Sequence, residues 1–163
     1  SSKLSGALPA IDGSALTGIA DFKGFRARAV AGQSISSGTS TKVNYATELI
    51  DSDGWYNPTT SQFTPTTAGY YLIHADVRMG AMTSNGRCDI VIRVNAQETV
   101  SGGHNQTNSN DFAMVVTGIV YLDGNDYVDI VVNFNGGGTQ TVSITNNTGG
   151  ATDANFSGYF LGT

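Results

Sequence analysis

The chain has 163 residues, the size of one ordinary domain with one sizeable core. Only 13% are charged, against roughly 25% in typical soluble domains, while Ser, Thr and Asn together hold 47 positions and Gly another 21. This neutral polar composition excludes a coiled coil with charged heptads and, lacking a three-residue glycine period, a collagen helix; it points away from helix-rich folds.

The opening stretch, Ser1 to Asp21, is broken by Gly6, Pro9 and Gly13 and shows neither a helix nor a strand period. We expect residues 1–24 to be a stalk or linker and residues 25–163 a globular head. Ser1 in the first position leads us to expect a piece of a longer protein.

From Phe25 onward, short runs of β-branched and aromatic residues alternate with Gly, Asn, Asp and Pro, the pattern of an all-β sandwich of about ten strands. Expected strands run from Phe25 to Val30 and from Lys42 to Ile50, with a turn at Asp51-Ser52-Asp53-Gly54 before Trp55 and Tyr56. Asn57-Pro58 turns the chain again, and Gln62 to Thr64 is a short strand. Gly69 to Met79 is long: Tyr71, Ile73, Ala75, Val77 and Met79 share one face, Tyr70, Leu72, His74, Asp76 and Arg78 the other.

Cys88 to Val94 alternates, with Ile90, Ile92 and Val94 inward. The stretch from Ser101 to Asp111 reads as a long polar connection, and Phe112 to Leu122 is apolar on both faces, which implies two-sided burial. Asp123-Gly124-Asn125-Asp126 is a hairpin turn. Tyr127 to Phe134, Gln140 to Thr145 and Asn155 to Leu161 complete the strands. So many two-sided strands exceed what one core requires, and association between copies is the economical explanation.

Gly54-Trp55-Tyr56-Asn57-Pro58, then Phe63-Thr64, then Gly69-Tyr70-Tyr71-Leu72-Ile73 form three anchors in order. They are joined by Leu122 to Tyr127 and by a closing Phe156-Ser157-Gly158-Tyr159-Phe160-Leu161. In these motifs, residues 25 to 163 resemble the globular head of complement's recognition subcomponent and its tumour-necrosis-factor-like relatives. The resemblance implies a ten-stranded jelly roll assembled as a homotrimer. Ile73 stands where the family usually has Phe, and the cysteine pattern of animal members is absent, so animal ligands do not carry over. The segment from Leu4 to Ile19 looks like stretches of bacteriophage tail-fibre and other host-attachment proteins. That resemblance implies a virion location, or alternatively a bacterial cell or spore surface. It also implies a host-surface partner, a glycan or a protein, with a trimerisation cap that does not itself bind the receptor as the alternative role.

Chemistry-bearing residues are few. Residues 94–163 carry six acids and no Lys or Arg within a formal charge of −5, so nucleic acid is not an expected partner. No run reaches the roughly 18 apolar residues of a membrane-spanning helix, so membrane insertion is not expected. Cys88 is the lone cysteine, and one thiol with two distant histidines makes no zinc site. No metal-binding and no catalytic residues are identified. Asp51, Asp53 and Gly54 begin like a calcium loop, but Gln62 stands where the twelfth-position Glu belongs, so a turn is the better reading. The family resemblance admits a structural calcium without marking a site, and no cofactor is otherwise expected. Asp123 and Asp126 read as a turn rather than a glycosidase pair. Trp55 reads as a core or interface residue, with an exposed sugar-stacking platform as the alternative. His74 reads as a strand or interface residue satisfied by a hydrogen bond, the alternative being a ligand contact or pH-tuning role. His104, Asn105, Gln106, Asn108 and Asn110 are the candidate receptor-binding residues, because the amides and hydroxyls of this stretch hydrogen-bond sugar hydroxyls without bringing charge and binding loops ride on rigid sandwiches.

Overall fold

The computed structural model describes residues 22–29, 32–80, 85–106, 111–136, 139–142 and 154–163. Thirteen strands form among them: β1 Gly24–Arg28, β2 Gln33–Ser36, β3 Ser40–Lys42, β4 Thr47–Asp51, β5 Tyr56–Asn57, β6 Gln62–Phe63 and β7 Gly69–Met79, then β8 Gly86–Val94, β9 Gln97–Gln106, β10 Phe112–Leu122, β11 Val128–Gly136, β12 Thr139–Val142 and β13 Asn155–Gly162. The all-β sandwich expected from the alternating pattern is what forms. The count exceeds ten because several pieces are only two to four residues long. The opening segment expected to be a stalk lies, up to residue 21, outside the described residues.

The strands make two antiparallel sheets. In the seven-stranded sheet the order is β2-β12-β7-β13-β1-β4, with β10 along the other edge of β7. In the six-stranded sheet it is β5-β6-β11-β8-β9, with β3 also pairing β11. Alternation places Tyr71, Ile73, Ala75, Val77 and Met79 of β7 inward, each fully buried, as the two-residue period requires. Against them, from the other sheet, stand Cys88, Ile90, Ile92, Val128, Ile130, Val132 and Phe134.

An aromatic knot closes one end of this core. Phe25 stacks on Phe63 at 4.4 Å and on Tyr56 at 4.8 Å, and meets the edge of Phe156 at 4.7 Å; such pairs contribute about 0.5–1.5 kcal/mol each beyond their burial. The buried phenols keep partners: Tyr56 Oη donates to the Tyr45 carbonyl at 2.7 Å, and Tyr45 Oη to the Asp76 carbonyl at 3.1 Å. Desolvation raises both phenols, Tyr56 to about 12.

Two sequence expectations are corrected. Lys42 to Ile50 is not one strand: the chain leaves the six-stranded sheet after Lys42 and enters the other at Thr47. In between, Val43 donates its N–H to Ile130 and Tyr45 donates its to Ser61 Oγ, so the crossing keeps its backbone satisfied while burying both side chains. The polar connection from Ser101 is also not a loop at its start, since β9 continues to Gln106, paired residue by residue with β8. Glycine hides the strand period there but is needed for the packing. A Cβ on Gly102 would lie 2.7 Å from the Val115 carbonyl oxygen, and one on Gly118 would lie 2.6 Å from Val100 Cγ2. These bare positions let β9 close against β10, sealing one edge of the sandwich.

Candidate functional site

The outer face of the seven-stranded sheet is built by the positions of β7, β10, β13 and β1 that alternate away from the core. Register sets Tyr121 opposite Tyr70, Ile119 opposite Leu72, Thr117 opposite His74 and Val115 opposite Asp76; Tyr159 flanks Leu72 from β13. One end of the face is therefore apolar and the other polar. At the apolar end Ile119 is 60% exposed, Tyr121 56% and Tyr70 51%. Phe22, Ile50, Leu72 and Tyr159 surround a hollow of about 290 Å³ over Gly158. At the polar end His74 Nδ1 meets Thr117 Oγ1 at 2.8 Å, and its Nε2 lies 3.6 Å from Asp76; Arg78 pairs with Asp111 at 3.5 Å. His74 thus sits on a strand with a hydrogen-bond partner, as expected. The second side of β10, expected to be buried, is instead open within one chain, because no element among the described residues covers Val115, Ile119 or Tyr121.

The outer face of the six-stranded sheet has the opposite character. Its outward positions come in rows across the strands: Asn135, Arg87 and Asn105; then Ser40, Asn133, Asp89 and Gly103; then Lys42, Val131, Val91 and Ser101; then Asp129, Arg93 and Glu98. Asp129, with a side chain only 3% exposed, is held by Arg93 in a two-pronged pair, Nε to Oδ1 at 2.8 Å and Nη2 to Oδ2 at 2.9 Å. Those hydrogen bonds raise the Arg93 guanidinium further and supply what a buried carboxylate requires. Asn133 donates Nδ2 to Glu98 at 2.9 Å. Arg87 wraps Asp89, Nε meeting Oδ1 at 3.0 Å and Oδ2 at 2.9 Å, with Nη2 meeting Oδ1 at 2.9 Å. Between this pair, the two asparagines and the turn at Gly38 and Thr39 lies a cleft of about 430 Å³. The turn is pinned there by the Gly38 N–H on the Phe134 carbonyl at 2.8 Å and by Ser37 Oγ, which accepts from the Gly136 N–H at 3.1 Å.

The candidate receptor residues divide between these surroundings. Asn105 lies on β9 directly opposite Arg87, in the first polar row. His104 alternates away from it and stacks on Phe112 at 4.6 Å. Gln106 ends β9, paired with Gly86; Asn108 and Asn110 lie outside the described residues. Ser40, Arg87, Asp89, Asn133 and Asn135 were not singled out in the sequence. Their alternation along strands was a signal, but only the cross-strand register brings them together.

The remaining acidic candidates are turns. Asp51 accepts the N–H groups of Trp55 at 3.1 Å and Tyr56 at 2.8 Å, and Asp126 accepts that of Asp123 at 2.9 Å. Trp55 packs edge-on to Tyr71, and Lys23 Nζ lies 5.7 Å from its ring centroid, so it joins the core margin rather than an open sugar platform. Among the described residues, no group of three or more His, Cys, Asp or Glu converges as a metal site.

No family model matches the chain, and no curated protein does. Solved structures do. The globular domain of the zebrafish complement 1qA protein superposes with a TM-score of 0.54 at 15% identity, covering 86% of this chain and 98% of that one. At that identity the likeness bears on fold alone, and the fold is that of the complement-type, tumour-necrosis-factor-like jelly roll.

Proposed function

We propose that this chain is the homotrimeric head of a virion attachment protein of the tail-fibre type, which presents three copies of one polar face to a host-surface receptor, a glycan. The observation that carries the reading is the concentration of exposed apolar side chains on the seven-stranded sheet, from Val115, Ile119 and Tyr121 across Tyr70 and Leu72 to Tyr159. A monomer leaves such a stripe in water, whereas closed association removes it. The fold supports the same reading, and so does a second, polar face on which Arg87 and Arg93 are paired with Asp89 and Asp129. The head is a binding module without catalysis, placed at the outside of the particle. Three weak sites held rigidly together bind a repetitive surface far more tightly than one.

Absolute mass in dilute solution, by light scattering behind a sizing column, tests the assembly. The expected value is three times the 17.0 kDa chain mass, unchanged by a chelator. A monomer would remove the multivalent mechanism. A trimer whose attachment to host cells survives substitution across the polar face would favour the cap role, with recognition left to another protein.

A further inference from the structure

We infer that the cleft on the six-stranded sheet, floored by Asp89 and Asn133 and walled by Ser40, Arg87, Asn135 and Thr39, is a subsite for one uncharged hexose unit of a glycan. The inference deepens the attachment reading above, on which it rests only for the gain from three linked copies.

Charge selects the ligand class first. Among the described residues, the ionised groups lining the cleft are Arg87 and Asp89, and they neutralise each other through three contacts of 2.9–3.0 Å. The closed pair gives the cleft no net charge to attract an anion or a cation, and a neutral polyol needs none. Donor and acceptor accounting selects it second. Asp89 Oδ1 receives two of the Arg87 contacts and Oδ2 one, so Oδ2 keeps an acceptor position for a hydroxyl. Arg87 binds Asp89 through Nε and Nη2, which leaves Nη1 aimed at no group among the described residues. A carboxylate acceptor beside a guanidinium donor matches adjacent hydroxyls of a pyranose, one donating and one accepting. Asn133, Asn135 and Ser40 add amides and a hydroxyl able to play either role, and Thr39 Oγ1, which donates to the Ser36 carbonyl at 2.8 Å, adds an acceptor.

Shape agrees. About 430 Å³ falls in the lower part of the small-ligand range, roughly 300–1,000 Å³, and suits one or two sugar rings. Gly103 keeps the floor low: a Cβ there would lie 2.5 Å from Asp89 Oδ1 and displace the pair. The face also stays outside if the apolar sheet is buried between copies, which places three such clefts on the exterior of the head.

The test is backbone amide shift mapping of the isotopically labelled chain, titrated separately with glucose, galactose, mannose and N-acetylglucosamine, and with sialic acid as the anionic control. At least one neutral sugar is expected to move the amides of Gly38 to Ser40, Arg87 to Asp89 and Asn133 to Asn135 together. Asp89→Asn and Asn135→Ala should each weaken that titration, the former about tenfold, as expected for losing a hydrogen bond to a charged group, with the thermal midpoint confirming that both variants fold. No response to any neutral sugar, shifts elsewhere, or a response to sialic acid alone would overturn the assignment. Failure here is distinguishable from failure of the attachment reading: a trimer whose cleft ignores sugars loses only the subsite, and a monomer whose cleft binds them loses only the multivalent mechanism.

Discussion

The two sheets share one core and differ on their outsides. Every large apolar side chain exposed among the described residues belongs to the strands of the seven-stranded sheet or to Phe22 at its entry. The six-stranded sheet exposes none; there even the outward Val91 and Val131 are buried, and ion pairs and amides make up the surface. The difference shows how a strand period becomes a functional division. Alternation alone puts a residue outward, and the chemistry at the outward position then decides whether that face meets water or another copy.

The largest effect is expected from charge placed on the apolar side. On the trimer reading, Ile119→Asp puts an unpaired carboxylate in the contact surface of every copy, so we expect the mass to fall to one chain while the fold persists, because Ile119 is 60% exposed in the single chain. The corresponding change on the polar face, Asn135→Asp, should leave the mass unaltered. Arg93→Ala tests whether the polar face rests on its buried pair. It strands Asp129 at 3% exposure, and we expect a loss of about 3–5 kcal/mol in denaturant unfolding; Arg93→Ala combined with Asp129→Leu should recover most of it.

Next in size is the seam where the two sheets meet. Gly102→Ala drives a Cβ to 2.7 Å from the Val115 carbonyl, with an expected loss of about 1–3 kcal/mol from forced backbone movement. A further effect is alkaline. Burial raises the Tyr56 and Tyr71 phenols to about 12 from an ordinary value of 10.0. A raised phenol favours the folded state fully below its unfolded value, and that contribution is lost as pH climbs through the folded one. The thermal midpoint should therefore decline between about pH 10 and about 12, and less steeply in Tyr56→Phe.

How far the sequence revealed this division depended on the side chains. In β7 every second residue from Tyr71 through Ile73, Ala75 and Val77 to Met79 is apolar, and His74, Asp76 and Arg78 alternate with the last of them, so the strand and its inward face were legible. In β9 the inward Gly102 and outward Gly103 have no side chain to carry a period, and a strand read as a loop. Between Lys42 and Thr47 the residues alternate as a strand does while the chain changes sheets, which hydropathy does not register. The apolar face was readable from the two-sided β10. The polar cleft was not, because Asp89, Asn133 and Ser40 are far apart in the chain and become neighbours only through the pairing of β8, β11 and β3.

Thiol labelling of two single variants, Ile119→Cys and Asn135→Cys, compares the faces in the native assembly. Cys88 supplies no background, being fully buried with its thiol pushed up to about 11 by desolvation. We expect Asn135→Cys to label at the rate of an exposed thiol and Ile119→Cys to be protected until the assembly is dissociated. Equal, rapid labelling of both would contradict the assignment of the apolar sheet to the interior of a trimer.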